Sequence, residues 1–273
     1  MPDDEWVIKI LVAWCWIDMA TYSFMLGFSV HNAVKFLVFQ GRWKTFYLTG
    51  FYALTVLVAL TRILYFYSGY RMLLAENYDP VWSRNAYVFS YGDNIAISSK
   101  AALGIFQIGS MIDLAIHVKL SAEQLNLERA TTQKNWTKSL VCVVSLPLIP
   151  LRLLRGKIRA DLIFAQEKVT EGKRFFYNNF TPTIFSVLSI GLTVACICLM
   201  VRMNKYFPRS LKDEACRIKT IFLVFTVSYL TRVAVFVVLG KIDASHLAFN
   251  LTLDIGFNFW DVILLTLIMM YHY

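Results

Sequence analysis

Long runs of apolar residues, each near the length of a bilayer-spanning helix, constrain this chain more than any other feature. A hydrocarbon core about 30 Å thick requires about 20 apolar residues in an α-helix. Successive segments of this kind lie at residues 7–30, 45–70, 95–117, 138–154, 182–204, 217–240 and 247–271. The chain is 58% hydrophobic and has a mean hydropathy of +0.54, both far above soluble proteins. The sequence therefore predicts an all-α membrane protein, a seven-transmembrane helix bundle forming one domain over residues 1–273.

The fourth segment is the least regular of the seven. It is short and contains Pro147 and Pro150. Proline removes a backbone N–H donor and clashes with the preceding helical turn. We expect this segment to be kinked, tilted or only partly inserted.

Basic residues concentrate in the connections between the apolar runs and set the expected orientation. The formal net charge of +9 therefore reflects topology signals, and we expect no nucleic-acid partner. The amino terminus is acidic, with Asp3, Asp4 and Glu5. Basic residues crowd the first, third and fifth connections, which contain Lys35, Arg42, Lys44, Lys119, Arg129, Lys134, Lys138, Arg202, Lys205, Arg209, Lys212, Arg217 and Lys219. These patterns predict an amino terminus outside or in a lumen and a cytoplasmic carboxyl terminus.

The fourth connection is also basic, although this topology places it outside. Basic and apolar residues alternate over residues 151–176, and the first basic residues are Arg152, Arg155, Lys157 and Arg159. Such a stretch can lie along a membrane surface as an amphipathic helix. Two interpretations stay open here: a solvated basic helix without a ligand, or a surface for anionic lipid or a partner.

One seven-residue pattern occurs twice, 170 residues apart. Leu60-Thr61-Arg62-Ile63-Leu64-Tyr65-Phe66 matches Leu230-Thr231-Arg232-Val233-Ala234-Val235-Phe236 in its Leu-Thr-Arg start and its final Phe. If the second span corresponds to the sixth, the first corresponds to the fifth and the third to the seventh. This would be a 3+1+3 parallel repeat, an arrangement known in transporters with sites at the repeat interface.

Ionisable residues inside the apolar runs are the candidate functional residues. Arg62 and Arg232 both fall in the outer half of the predicted bilayer, and Asp254 reaches a similar depth in the last span. A charge buried in a membrane needs a partner, so we expect an arginine to pair with Asp254. Asp18 and Lys100 are further members of this expected network, and the deeper polar residues are Asp113, Asn258, Trp260 and Asp261. Two interpretations stay open: a network that locks the bundle, or a ligand or ion site.

The sequence contains little that points to metal binding or catalysis. Asp113 and His117 are an i,i+4 pair that could bind a metal, but the four histidines lie at scattered depths. The phosphate-binding and nucleophile motifs of soluble enzymes are missing from the sequence. We therefore expect neither an enzyme, nor a metal site, nor a cofactor.

The last span contains Phe259-Trp260-Asp261-Val262-Ile263. The second and sixth spans each contain an arginine, Arg62 and Arg232, that precedes aromatic residues. These features resemble the tobamovirus multiplication protein family of plants and its animal relatives, the orphan-receptor-like lysosomal membrane proteins. That family often carries a proline after the aromatic-acidic pair, and this chain does not. The resemblance implies a receptor-like protein without catalysis, which recruits small GTPases or a trafficking or replication complex at its basic cytoplasmic connections. It also implies that Arg62, Arg232 and Asp261 are fold determinants.

Three functions are consistent with the sequence. The first is a receptor-like integral membrane protein that binds membrane lipids and other membrane or small-GTPase proteins. The second is an accessory structural subunit of a larger membrane complex, for example an organellar one. The third is a small carrier with a site near the bilayer midplane.

Overall fold

The computed structural model describes residues 4–39, 46–74, 80–122, 126–163, 170–206, 212–239, 261–262 and 265–266. These residues are almost entirely helical, and no strand occurs among them. The helices are α1 (Asp4–Ala33), α2 (Phe46–Leu74), α3 (Pro80–Ser121), α4 (Leu127–Ser145), α5 (Leu148–Ile163), α6 (Glu171–Tyr206) and α7 (Lys212–Leu239). A π-helical segment, Val34–Phe39, continues directly from α1.

Helices long and apolar enough to cross a membrane dominate the described chain. There are five such candidates, at Ile8–Phe36, Phe46–Leu74, Tyr87–Ser121, Leu127–Asp161 and Glu171–Tyr206. This number supports a multi-pass membrane protein. The sixth predicted span overlaps α7 as far as Leu239, and most of the seventh lies outside the described residues, although residues 261–262 and 265–266 are helical there.

The third helix is longer than the sequence predicts. It begins at Pro80, well before the apolar run that starts at residue 95. The additional turns contain Ser90 and Asn94, which are buried. Apolar runs in the sequence do not predict buried polar residues of this kind, because the burial of such residues depends on hydrogen-bond partners from other helices.

The fourth span is interrupted at the place where the sequence predicts a kink. Helix α4 ends at Ser145, the amide of Leu146 donates to the Cys142 carbonyl, and α5 begins at Leu148. Pro147 lies between the two helices. It cannot donate an N–H to the helix, so the regular hydrogen-bond ladder ends there.

The chain divides into two compact units. Unit 1 comprises Met1–Lys44, Phe51–Lys100 and Pro147–Phe180, and unit 2 comprises Thr45–Gly50, Ala101–Leu146 and Thr181–Tyr273. The core of unit 1 contains stacked rings, with the ring of Tyr22 6.0 Å from that of Phe66. In unit 2, the ring of Tyr229 lies 5.0 Å from that of Phe225 and 5.8 Å from that of Phe185.

Helix α6 shows the pattern expected of a helix surrounded by lipid on one side. Its exposed apolar residues recur every three or four positions, at Val187, Ile190, Val194, Ile197 and Val201. The buried residues, at Phe185, Leu188, Leu192, Ala195 and Leu199, are apolar as well. A helix that is apolar on all sides is buried in a large core or in a membrane.

Candidate functional site

A carboxylate on α3 joins two arginines within unit 1. Arg62 of α2 donates from Nη1 to Oδ1 of Asp93 at 3.0 Å, and Arg159 of α5 donates from Nη1 to Oδ2 at 2.5 Å. The side chain of Asp93 is 14% exposed and that of Arg62 is 9% exposed. Charge-assisted bonds of this kind are stronger than neutral hydrogen bonds. One aspartate therefore ties α2 and α5 to α3.

Two aromatic rings complete this contact. The guanidinium of Arg62 lies 5.2 Å from the ring of Tyr65, and that of Arg159 lies 5.5 Å from the ring of Phe89. The two rings stack on each other with centroids 4.1 Å apart. Each arginine thus has a carboxylate and an aromatic face as neighbours, an arrangement that offsets part of the cost of burying its charge.

A second polar contact joins α5 to α3. Arg155 donates from Nη1 to Oδ1 of Asn94 at 2.9 Å, while Nδ2 of Asn94 donates to the Ser90 carbonyl at 2.8 Å. The Ser90 hydroxyl in turn donates to the Gly156 carbonyl at 2.8 Å. A Cβ on Gly156 would lie 3.0 Å from the Tyr91 ring. The two helices approach each other so closely that a larger residue would require the Tyr91 ring to shift by a few tenths of an ångström.

The basic residues of α5 do not form a solvated face. Arg152 is fully buried, with its guanidinium 4.9 Å from the ring of Phe180, and Arg155 and Arg159 are half-buried. Lys157 points the other way and is exposed. The outward residues of α5 include the apolar side chains Ile149, Leu151, Leu153 and Leu154. This inverted pattern corrects the solvated-helix interpretation and suits a helix whose outer face meets lipid.

Asp18 and Lys100 belong to the same unit and are both buried, on α1 and α3 respectively. The ionisable residues Asp18, Arg62, Asp93, Lys100, Arg152, Arg155 and Arg159 are therefore all constituents of unit 1. We call Arg62, Asp93, Asn94, Arg152, Arg155 and Arg159 the unit 1 arginine cluster.

The second arginine of the repeated pattern has its own carboxylate in unit 2. Arg232 of α7 forms an ion pair with Asp261, and both side chains are buried. Its guanidinium lies 5.8 Å from the ring of Tyr229 and 6.0 Å from that of Phe185. Asp254, the predicted partner, lies outside the described residues, as do Asn258 and Trp260.

Asp93 and Asn94, which organise the cluster, are not predicted from the sequence. They precede the third apolar run and look like residues of a solvated connection. The available signal was the spacing of Ser90 and Asn94, four residues apart, because residues at this spacing share one helix face.

The Asp113 and His117 pair forms as predicted, but its surroundings do not favour a metal. Asp113 Oδ2 and His117 Nε2 are 3.8 Å apart, and Nζ of Lys134 lies 2.5 Å from the same ring nitrogen. A lysine ammonium at that nitrogen competes with a cation. Within the part of the chain that is described, no group of three or more His, Cys, Asp or Glu residues could hold a metal ion.

The chemistry of the unit 1 arginine cluster is that of charge binding. Arginine stays protonated in proteins and cannot act as a base. Both oxygens of Asp93 already accept hydrogen bonds from arginines. The described contacts of the cluster thus hold helices α2, α3 and α5 together. Comparison of the chain with family models, with curated proteins and with solved structures found no match.

Proposed function

We propose that this chain is a seven-span, receptor-like integral membrane protein that acts by binding protein partners at its cytoplasmic connections, without catalysis. Its amino terminus lies outside or in a lumen and its carboxyl terminus in the cytoplasm. The resemblance to the tobamovirus multiplication protein family points to small GTPases, or proteins that assemble with them, as the partners.

The observation that carries this proposal is the polar beginning of α4. Asn126 caps the helix by accepting a hydrogen bond from the Glu128 amide at 3.1 Å. The following residues, 127–138, are mostly exposed and include Arg129 and Lys134. The same helix then continues into an apolar part. An ordered, charged helix that extends from a membrane helix offers a partner surface.

Two further helix ends in unit 2 carry exposed positive charge, and the predicted topology places them on the same side of the membrane. Lys205 near the end of α6 and Arg217 near the start of α7 are both exposed. Their connection is the basic fifth one of the predicted topology. A surface of ordered helix ends loses less conformational entropy on binding than a flexible loop does. Its positive charge favours a partner with an acidic surface.

Charge reversal on this surface tests the proposal. We expect Arg129→Glu combined with Lys205→Glu to remove substoichiometric protein partners that co-purify with the tagged chain in mild detergent, as quantified by mass spectrometry. Lys157→Glu, an exposed charge on α5, is the matched control and should keep them. The proposal would be contradicted if the wild type, the double variant and the control each eluted as a single species and co-purified with the same partners.

One observation favours the accessory subunit as a second candidate. The segment Leu127–Asp161 is the least buried of the five candidate spans. Only 17% of its most apolar stretch is buried inside the protein. Leu140, Val143 and Leu146 are exposed on it, and Trp136 is 73% exposed. In a membrane, either lipid or a neighbouring chain covers such a face. Stoichiometric membrane subunits in the same purification, cross-linked to a photoreactive residue at Val143, would favour this candidate.

A further inference from the structure

Two of the described contacts between α3 and α4, both within unit 2, differ in chemistry. At the first, a Cβ on Gly109 of α3 would lie 2.7 Å from Cγ2 of Val141, a buried residue of α4. At the second, Nζ of Lys134 lies 2.5 Å from Nε2 and 3.1 Å from Nδ1 of His117. The two contacts are about 10–12 Å apart along each helix. One end of the α3–α4 pair is therefore apolar, and the other consists of two groups that bind protons.

Lys134 belongs to the face by which α4 packs. Ala130 and Val141 are buried, and the half-buried Lys134 lies four residues after the first and seven before the second. Residues at these spacings share one side of a helix. Gln133 and Asn135, on either side of the lysine in sequence, are exposed. The lysine therefore takes part in the docking of α4 rather than in its exposed side.

The contact between Lys134 and His117 requires a neutral imidazole ring. A lysine ammonium has N–H donors and no acceptor, so the ring nitrogen that it meets must accept the hydrogen bond. A neutral imidazole provides one acceptor nitrogen, and a protonated imidazole provides none. Protonation of His117 therefore replaces a hydrogen bond by the repulsion between two positive charges.

A carboxylate on the same helix is placed to receive the protonated ring. Oδ2 of Asp113 lies 3.8 Å from Nε2 of His117, one helical turn away. Oδ1 of Asp113 is buried and has no hydrogen-bond partner among the described residues, so the carboxylate has acceptor capacity left. The side chain of His117 is 55% exposed and lies one turn before the end of α3 at Ser121, where protons can reach the ring.

From this geometry we infer that His117 is a pH-sensitive switch for the docking of α4 on α3. When the ring is neutral, it accepts from Lys134 and holds the amino-terminal half of α4 against α3. When the ring is protonated, it donates to Asp113 and repels Lys134, which releases that half of the helix. The contact between Gly109 and Val141 contains no titratable group and keeps the other half in place. The inference concerns packing between two helices of one chain and does not depend on the proposed partner surface.

The other titratable groups near this contact leave its direction unchanged. Asp113 lies on the same helix as His117, and Lys134 faces the ring from α4. From α2, the hydroxyl of Tyr47 interacts electrostatically with Asp113 and with the thiol of Cys142. Histidine is the only one of these residue types whose unperturbed charge changes between about pH 5 and 8. A fall in pH across this range therefore acts on the ring.

Double-mutant cycles at two pH values are the first test. His117→Leu and Lys134→Met are combined in the purified full chain in detergent, and denaturant unfolding gives their coupling at about pH 8 and about pH 5. We expect favourable coupling at the higher pH, and none or unfavourable coupling at the lower. A cycle of His117→Leu with Asp113→Asn should show the opposite trend. A cycle of His117→Leu with Arg129→Met, which removes an exposed charge of α4, is the control and should show no coupling at either pH.

Hydrogen exchange of the wild-type protein gives a second readout that needs no folded variant. Protection is expressed relative to the intrinsic exchange rate at each pH. We expect residues 127–138 to lose protection several-fold as the pH falls from about 8 to about 5, while the residues around Val141 keep theirs. His117→Gln retains a side-chain acceptor for Lys134 but takes up no proton, so residues 127–138 of this variant should stay protected at both pH values.

Either experiment can overturn the inference. It is wrong if the coupling between His117 and Lys134 is the same at both pH values, or if the control cycle changes with pH to the same extent. It is also wrong if the protection of residues 127–138 in the wild type does not change with pH, or if His117→Gln loses protection as the wild type does.

Discussion

Arg62 and Asp93, on neighbouring helices α2 and α3, form a 3.0 Å ion pair in which the aspartate also accepts from Arg159 of α5. The carboxylate is thus shared, and each of its oxygens serves a different helix. Removing one partner of a buried pair is costly because the charge left behind has lost its counter-ion. Without the Asp93 carboxylate, Arg62 and Arg159 would both lose the counter-ion that they share.

We therefore expect Asp93→Asn to destabilise the folded protein by about 3–5 kcal/mol, the typical cost of breaking a buried ion pair. Asparagine keeps the shape and one acceptor but removes the negative charge. Denaturant unfolding in mixed micelles measures the change. Asp213→Asn, at an exposed position of α7, is the control and should stay within about 0.5 kcal/mol of wild type. An equal decrease in the free energy of unfolding for Asp93→Asn and Asp213→Asn would argue against the shared carboxylate.

Arg232 and Asp261 should be energetically coupled in unit 2. A double-mutant cycle with Arg232→Gln and Asp261→Asn is expected to give a coupling free energy of about 1–3 kcal/mol. A cycle that pairs Arg232→Gln with Asp213→Asn on the same helix should give almost none, because the two positions are about 28 Å apart along α7. Additive effects in the first cycle would refute the ion pair.

Gly156 allows the close contact between α5 and α3, so Gly156→Ala should be destabilising. The new methyl group would meet the Tyr91 ring at 3.0 Å and Nδ2 of Asn94 at 3.5 Å. Overpacking of this kind costs about 1–3 kcal/mol. Gly27→Ala in α1 is a matched control with open space around its Cβ, and should be neutral or stabilising by up to about 1 kcal/mol. Thermal unfolding in detergent compares the two variants. A lower unfolding midpoint for Gly27→Ala than for Gly156→Ala would contradict the helix packing.

The exposed apolar face of α6 should tolerate no charge if it contacts lipid. Val194→Arg is expected to disfavour membrane insertion by about 3 kcal/mol, which a translocon-based insertion assay measures. Thr132→Arg, on the exposed polar part of α4, should insert like wild type. Normal insertion of Val194→Arg would mean that this face of α6 does not meet hydrocarbon.

The amino-acid sequence predicts much of the architecture, because apolar runs of membrane length are a local property. It predicts helices in every described span and the interruption at Pro147. It also singles out Arg62 and Arg232 as residues that need partners inside the protein. The assignment of a seven-span topology, its orientation and the parallel repeat stay predictions.

The partners of those arginines could not be predicted in the same way. Asp254, the partner expected from the sequence, lies outside the described residues, and the structure pairs Arg62 with Asp93 and Arg232 with Asp261. Depth counted along one helix says nothing about how a neighbouring helix is rotated. Asp93 also lies in polar turns that resemble a connection until α3 is seen to continue through them.

The sequence by itself determined that this chain is helical, apolar and suited to a membrane, because the hydrocarbon core requires every backbone polar group to be satisfied within its own helix. Only the tertiary structure decided which faces turn inward. The arginines of α5 look like a solvated basic face in the sequence, yet they are held against α3 and Phe180 while the leucines face outward. The physical reason is that a buried charge is stabilised by partners from other helices, and their positions are not encoded in any single segment.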